Sequence, residues 1–221
     1  ELGLVDDKWG LSPRDPEVEN WDDVDNKEWQ ERRMEVYAAM IDRMDQGIGK
    51  ILDQVKASGE EDNTLILFLA DNGGSPETIK NPRKFYVPRE TSDGKFVHRG
   101  TNPDIMPGAD DTFQSYGIGW ANASNSPFRL FKRWVHEGGI ASPFIMKWPK
   151  AVKDNGGIVR GTGHVMDVMA TCLEASGVAY PQKYNGNTIT PIDGQSLLTL
   201  VNGEDDEIHE YICWEHEGNR A

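Results

Sequence analysis

The 221-residue chain carries 37 Asp and Glu against 23 Lys and Arg, a formal net charge of −14 at pH 7. So acidic a chain is a poor general binder of nucleic acid or anionic lipid, both of which require a basic face. Hydrophobic residues make up 37% and charged residues 27%, a globular composition with enough apolar mass for a core, and the longest apolar run, Leu65 to Ala70, is far too short to span a bilayer.

Residues 1–30 are acidic and hold tryptophans at 9, 21 and 29. They read as an extended surface segment tacked down by its indoles. Asp22, Asp23, Asp25 and Asn26 resemble a calcium loop in composition only. Counted from Asp23, the sixth position is Glu28, where an EF-hand requires glycine.

Tyr37, Met40, Ile41, Met44, Ile48, Ile51, Leu52 and Val55 recur at spacings of three and four, which predicts a helix with one apolar face. Gly59 stops it. Gly47 and Gly49 lower its propensity, and a close packing contact is the expected reason. Thr64 to Ala70 shows no alternation and predicts a strand buried on both faces, as in a parallel sheet covered by helices. A helix feeding such a strand points to an α/β sheet. Residues 75–127 are rich in Gly, Pro, Asn and Asp and read as a long functional loop, a lid or rim. A second buried strand is expected at Pro143 to Trp148. A helix bearing Val165, Val168, Met169, Cys172, Leu173 and Ala175 should end at Gly177. A short helix over Gly194–Leu200 and a strand over Tyr211–Glu215 follow. Cys172 and Cys213 form no metal motif, and Cys172 is expected as a buried free thiol. The sequence opens at Glu1 with no methionine and no signal-peptide pattern, and it stops at Arg220-Ala221 directly after a strand-like stretch, so both ends read as cut.

Two places carry candidate chemistry. Asp71 and Asn72 follow the first strand at once, and ligands in open α/β sheets bind beyond strand carboxyl ends. A carboxylate and an amide oxygen suit calcium or magnesium better than zinc or copper. A plain β-turn would use the same Asp-Asn-Gly-Gly. The second place is Lys132 to Gly139, beside Arg129 and Arg133, where Lys132 can grip an oxyanion or simply be a surface lysine. His136 could be an acid, a base or a packed ring, and Glu137 a structural partner for a nearby backbone turn, while His216, Asn219 and Arg220 have no derivable role. His98 and Arg99, in the long loop, are candidates for lining a substrate entrance. Asn122-Ala-Ser124 fits a glycosylation pattern, which alone is weak.

Several blocks occur in order: Tyr37 to Gly49, Ala70-Asp-Asn-Gly-Gly, Asn125 to Ile145, His164 to Thr171, Asp193-Gly-Gln-Ser-Leu-Leu, and Trp214 to Ala221. Together they resemble the sulfatase family, in the bacterial arylsulfatase form, over about residues 30 to 221. The resemblance implies an α/β, alkaline-phosphatase-like doubly wound sheet, incomplete here, over residues 1–190. Residues 191–221 would begin a smaller C-terminal antiparallel sheet subdomain. It further implies sulfate-ester hydrolysis with calcium (Ca2+) and a formylglycine made from Cys or Ser in Cys/Ser-x-Pro-x-Arg. Asp71 and Asn72 match the later calcium-binding pair, and Asp71 would also help deprotonate the nucleophile. Lys132 matches the sulfate-binding lysine, and His98 is the added substrate-binding candidate.

The chain contains no Cys/Ser-x-Pro-x-Arg sequence; Ser12-Pro-Arg has the wrong spacing. The early paired aspartates of the family are also absent, so these residues alone are expected to be inactive. The expected partners are a sulfate-ester small molecule or glycan and the remainder of the parent chain. A periplasmic or extracellular location fits the resemblance, but no residue pattern indicates one. A phosphatase or phosphomutase of the same superfamily would carry Asp-His for two transition metals where Asp71-Asn72 stands, and a non-catalytic binding protein on the same fold is the other alternative.

Overall fold

The structure is a computed structural model that describes residues 5–6, 8–80, 87–154 and 156–221. Part of the predicted loop, 81–86, lies outside the described residues, as do residues 1–4 of the acidic segment. Contacts divide the chain into two units. One holds Asp53–Asp71 and Pro143–Trp214; the other holds Val5–Leu52, Asn72–Ser142 and Glu215–Ala221.

Helix α1 (Lys27–Ala57) is the predicted long helix, and Gly59 after it takes a φ of 77°. That left-handed conformation favours glycine. The predicted face is only partly covered, with Tyr37, Ile48, Leu52 and Val55 half-buried. Met40, Ile41, Met44 and Ile51 are exposed, whereas Trp29 and Arg33 are buried. The N-terminal half of α1 packs on residues 105–120 instead. Trp29 Nε1 donates to the Ile105 carbonyl at 3.1 Å, Trp120 Nε1 donates to the Gln30 carbonyl at 2.9 Å, and Tyr37 stacks on Tyr116 at 4.8 Å. Arg33 donates through Nε to the Ser115 carbonyl at 2.7 Å and lies over the Trp29 ring at 4.3 Å. Burial lowers its pKa to about 10, since the charged form loses solvation. Periodicity counted apolar residues only, so a burial row that includes an arginine escaped it. Gly47 and Gly49 meet nothing within 4 Å, so close packing does not explain them.

The indoles of the acidic segment do anchor it. Trp9 lies 5.7 Å from Phe128, and Trp21 5.6 Å from Trp120.

Strand β1 (Ile66–Leu69) pairs with β4 (Phe144–Lys147), and the pairing is antiparallel, Ile66 opposite Lys147. Parallel, doubly buried strands were expected. Here Phe68 and Leu69, Phe144 and Ile145 are exposed. An unbroken apolar run fixes strand character but not the direction of the partner. The predicted loop contains regular structure: β2 (His98–Arg99) runs parallel to β3 (Thr112–Phe113), and α2 spans Gly117–Ser124. Ala121 of α2 joins Leu130 and Phe131 in a small core.

Later elements are α3 (Glu137–Ile140), α4 (Asp167–Ser176), the hairpin β5–β6 (Lys183–Tyr184, Asn187–Thr188) and α5 (Leu198–Val201). Gly177 caps α4 with a φ of 67°. The predicted apolar face of α4 is only half realised: Val168, Leu173 and Ala175 are half-buried, whereas Val165, Met169 and Cys172 are exposed, and Cys213 is too. Asp167 and Thr171 are fully buried instead. Asp167 accepts hydrogen bonds from the His164 amide at 2.7 Å and the Gln195 amide at 2.9 Å, and His209 Nε2 lies 2.8 Å from its Oδ1. Thr171 Oγ1 accepts from the Leu197 amide at 2.9 Å. A Cβ on Gly194 would come 2.1 Å from the Met166 carbonyl oxygen, so glycine is what lets this segment reach α4. Leu197, Leu200 and Ile208 then bury together against Met146. The strand expected at 211–215 falls later: β7 (Glu215–His216) pairs antiparallel with β8 (Asn219–Arg220).

Candidate functional site

Two glycine pairs interlock in the second unit. The Gly73 amide donates to the Gly139 carbonyl at 3.0 Å, the Lys132 amide donates to the Gly74 carbonyl at 3.1 Å, and the Gly138 amide donates to the Arg129 carbonyl at 2.9 Å. Asn125 closes the junction, since its Oδ1 accepts from the Gly74 amide at 3.1 Å and its Nδ2 donates to the Ala121 carbonyl at 2.6 Å. A Cβ would come 1.8 Å from the Gly138 carbonyl oxygen if placed on Gly73, and 2.1 Å from the Leu130 carbonyl oxygen if placed on Gly138. Backbone lies directly on backbone here, which only glycine permits. The turn at Gly73-Gly74 and the segment from Lys132 to Gly139 are thereby joined by main-chain bonds between residues 58 and 66 positions apart.

Asp71 is exposed and has no hydrogen bond or ion pair among the described residues. Asn72 donates through Nδ2 to the Gly73 carbonyl at 2.8 Å, which leaves its Oδ1 unengaged among the described residues. Consecutive, uncommitted, hard oxygens fit calcium chemically, but calcium takes six to eight such ligands. Among the described residues no group of three or more His, Cys, Asp or Glu could hold a metal. Asp71 and Asn72 would therefore be a partial donor set.

The basic stretch predicted around Lys132 is largely neutralised. Lys132 Nζ lies 3.4 Å from Glu77 Oε2, and Arg133 Nη2 lies 2.8 Å from Glu217 Oε2. Arg133 holds the Glu217 carboxyl below its ordinary range, by hydrogen bond first and charge second. Sequence reading missed both acids and also Asn125. No local spacing links residues 55 or 84 positions apart; only membership in the quoted blocks marks Asn125 and Glu217. His136 precedes α3 and Glu137 opens it. The glycosylation candidate Asn122 is engaged: its Oδ1 accepts from the Asp15 amide at 3.0 Å.

His98 sits elsewhere in the unit, on β2. It borders a hollow of about 440 Å³ whose lining includes Lys80, Phe96, Arg99 and Asn102 but neither Asn72 nor Lys132. The Phe96 ring meets the His98 ring edge-on at 5.4 Å.

The sequence matches the Sulfatase family over residues 11–178. The chain belongs to the sulfatase family. It is 31% identical over 238 residues to an uncharacterized sulfatase of Schizosaccharomyces pombe, an alignment covering 100% of this chain and 40% of the relative. It is 31% identical to an arylsulfatase of Klebsiella aerogenes, covering 90% of this chain and 41% of that protein. Human steryl-sulfatase is 26% identical over 80% of this chain and 23% of its own length. This sulfatase chain thus spans about two fifths of the first two relatives. No described helix is long and apolar enough to cross a membrane.

Proposed function

We propose that these residues belong to a sulfuric ester hydrolase of the arylsulfatase type that uses calcium and a formylglycine. The observation behind this reading is the glycine interlock that ties the turn beginning at Asn72 to Lys132 and Gly139. It joins the two segments that the family motif assigns to metal and sulfate. Asp71 and Asn72 would hold the calcium ion, which when bound supplies Lewis-acid polarisation and a template for the sulfate oxygens. Asn72 favours this over the phosphatase alternative, because an amide oxygen is a poor zinc ligand.

Lys132 presents a compact ammonium to a sulfate oxygen and offsets charge developing on the leaving oxygen. Glu77 holds that ammonium before substrate arrives. Asp71 also accepts a proton from the nucleophile's hydroxyl. His98 contacts the substrate farther from the sulfur. The nucleophile must be supplied by sequence other than these 221 residues, which lack its motif. The same proposal includes the doubly wound, alkaline-phosphatase-like sheet, with residues 191–221 opening a smaller subdomain.

The test is turnover of an aryl sulfate by the full-length chain, with and without a calcium chelator. Activity that disappears with chelator, returns with calcium, and is abolished together with calcium binding by Asp71→Ala is expected. Absence of turnover under every condition would instead identify a non-catalytic binding protein.

A further inference from the structure

In a chain of net charge −14, the hollow beside β2 stands out: its lining includes Lys80, His98 and Arg99 and no carboxylate among the described residues. The contrast with Lys132 and Arg133 is direct, since each of those has an acid at hydrogen-bonding or ion-pairing range. Among the described residues Arg99 has only a 3.5 Å contact from Nη1 to the Val87 carbonyl, and its buried Nε has no acceptor. A buried guanidinium N–H without an acceptor is costly, and an anion in the hollow would supply one.

The floor of the hollow is rigidly built. The His98 amide donates to the Asp111 carbonyl at 2.7 Å, the Gly100 amide to the Phe113 carbonyl at 3.0 Å, and the Thr101 amide to the Ile79 carbonyl at 3.2 Å. Ile79, which lines the hollow, and Val97, next to Phe96 and His98 in the chain, are both buried. Gly100, with a φ of 113°, lets the chain pass close to Ile79. Above this floor Phe96 is 62% exposed, a flat apolar plate bordered by cations and by the polar side chains of Thr78 and Asn102. An apolar plate ringed by hydrogen-bonding groups and positive charge fits the face of a sugar ring that carries a negative group. Position along the chain ties it to the proposed reaction. Thr78, on the wall, directly follows Glu77, whose carboxylate holds Lys132.

We infer that the hollow formed by Lys80, Phe96, His98 and Arg99 is a subsite for a second acidic sugar ring of the substrate, beyond the ring whose sulfate ester is cut. This rests on the sulfatase reading above for the identity of the reacting ester, and it makes the substrate class an anionic oligosaccharide.

Isothermal titration calorimetry of the full-length chain with chondroitin 4-sulfate tetrasaccharide tests it, with neutral maltotetraose and inorganic sulfate as comparisons. Lys80→Gln and Phe96→Ala, both on exposed side chains, avoid the folding risk of altering Arg99. Together they should weaken tetrasaccharide binding by roughly tenfold or more. Lys132→Ala, which removes the proposed sulfate contact, should leave a substantial part of that binding in place. Equal binding of maltotetraose, insensitivity to the double substitution, or no tetrasaccharide binding would overturn the subsite. Tetrasaccharide binding without turnover of any sulfate ester would sink the sulfatase reading alone. Aryl sulfate turnover without tetrasaccharide binding would sink the subsite alone.

Discussion

Replacing Lys132 by alanine in the full-length chain is expected to lower kcat/KM on an aryl sulfate by about 10²–10³, the usual loss when one preorganised charge facing the reacting group is removed. The argument starts from position. The Lys132 amide is pinned to the Gly74 carbonyl at 3.1 Å, and its ammonium lies 3.4 Å from Glu77. The backbone bond survives the substitution, so the junction should hold while the charge disappears. Steady-state kinetics separate the possibilities: a fall in kcat marks a transition-state role, and a rise in KM alone marks simple binding. Lys132→Arg keeps the charge but spreads it over a planar fork, and should recover only part of the activity. Kinetics close to the unmodified chain in Lys132→Ala would remove Lys132 from the mechanism.

Gly73→Ala should destabilise the fold by roughly 3 kcal/mol or more, because the new methyl carbon would sit 1.8 Å from the Gly138 carbonyl oxygen. Main chain faces main chain there, so no flexible side chain can swing aside. Thermal unfolding should show a midpoint lowered by roughly 6–12 °C. Gly47→Ala and Gly49→Ala provide the opposite sign. Both lie inside α1 with nothing within 4 Å, and each should stabilise by up to about 1 kcal/mol. Equal midpoints for Gly73→Ala and Gly47→Ala would refute the close backbone contact.

Helix α1, the β1 and β4 strands and the stop at Gly177 were legible because each depends on a local pattern: a period, an apolar run, a glycine just past the last turn. The direction of the β1–β4 pair was not, since Leu65 to Ala70 reads the same beside either kind of neighbour. Nor were the buried faces of α1 and α4. Arg33, Asp167 and Thr171 occupy them by virtue of hydrogen bonds to residues 82, 28 and 26 positions away, and no local window contains such partners. Asp71, Asn72 and Lys132 were picked out by chemistry and by family motif. The acids that face Lys132 and Arg133 were hidden because a carboxylate in an acidic chain looks like any other. His98 and Arg99 were singled out, but the hollow they border emerges only when the fold brings Lys80 to the same lining.

Asp167 joins chain segments far apart in the sequence: the amide of Gln195 and the ring of His209 both end on one carboxylate, and Thr171 one turn later takes the amide of Leu197. Deuterium can replace the Gln195 and Leu197 amide protons only when this knot loosens. The two positions should therefore exchange in step, on one clock, and an acid-to-amide change at Asp167 should speed both together while leaving the amides of α1 at their own pace.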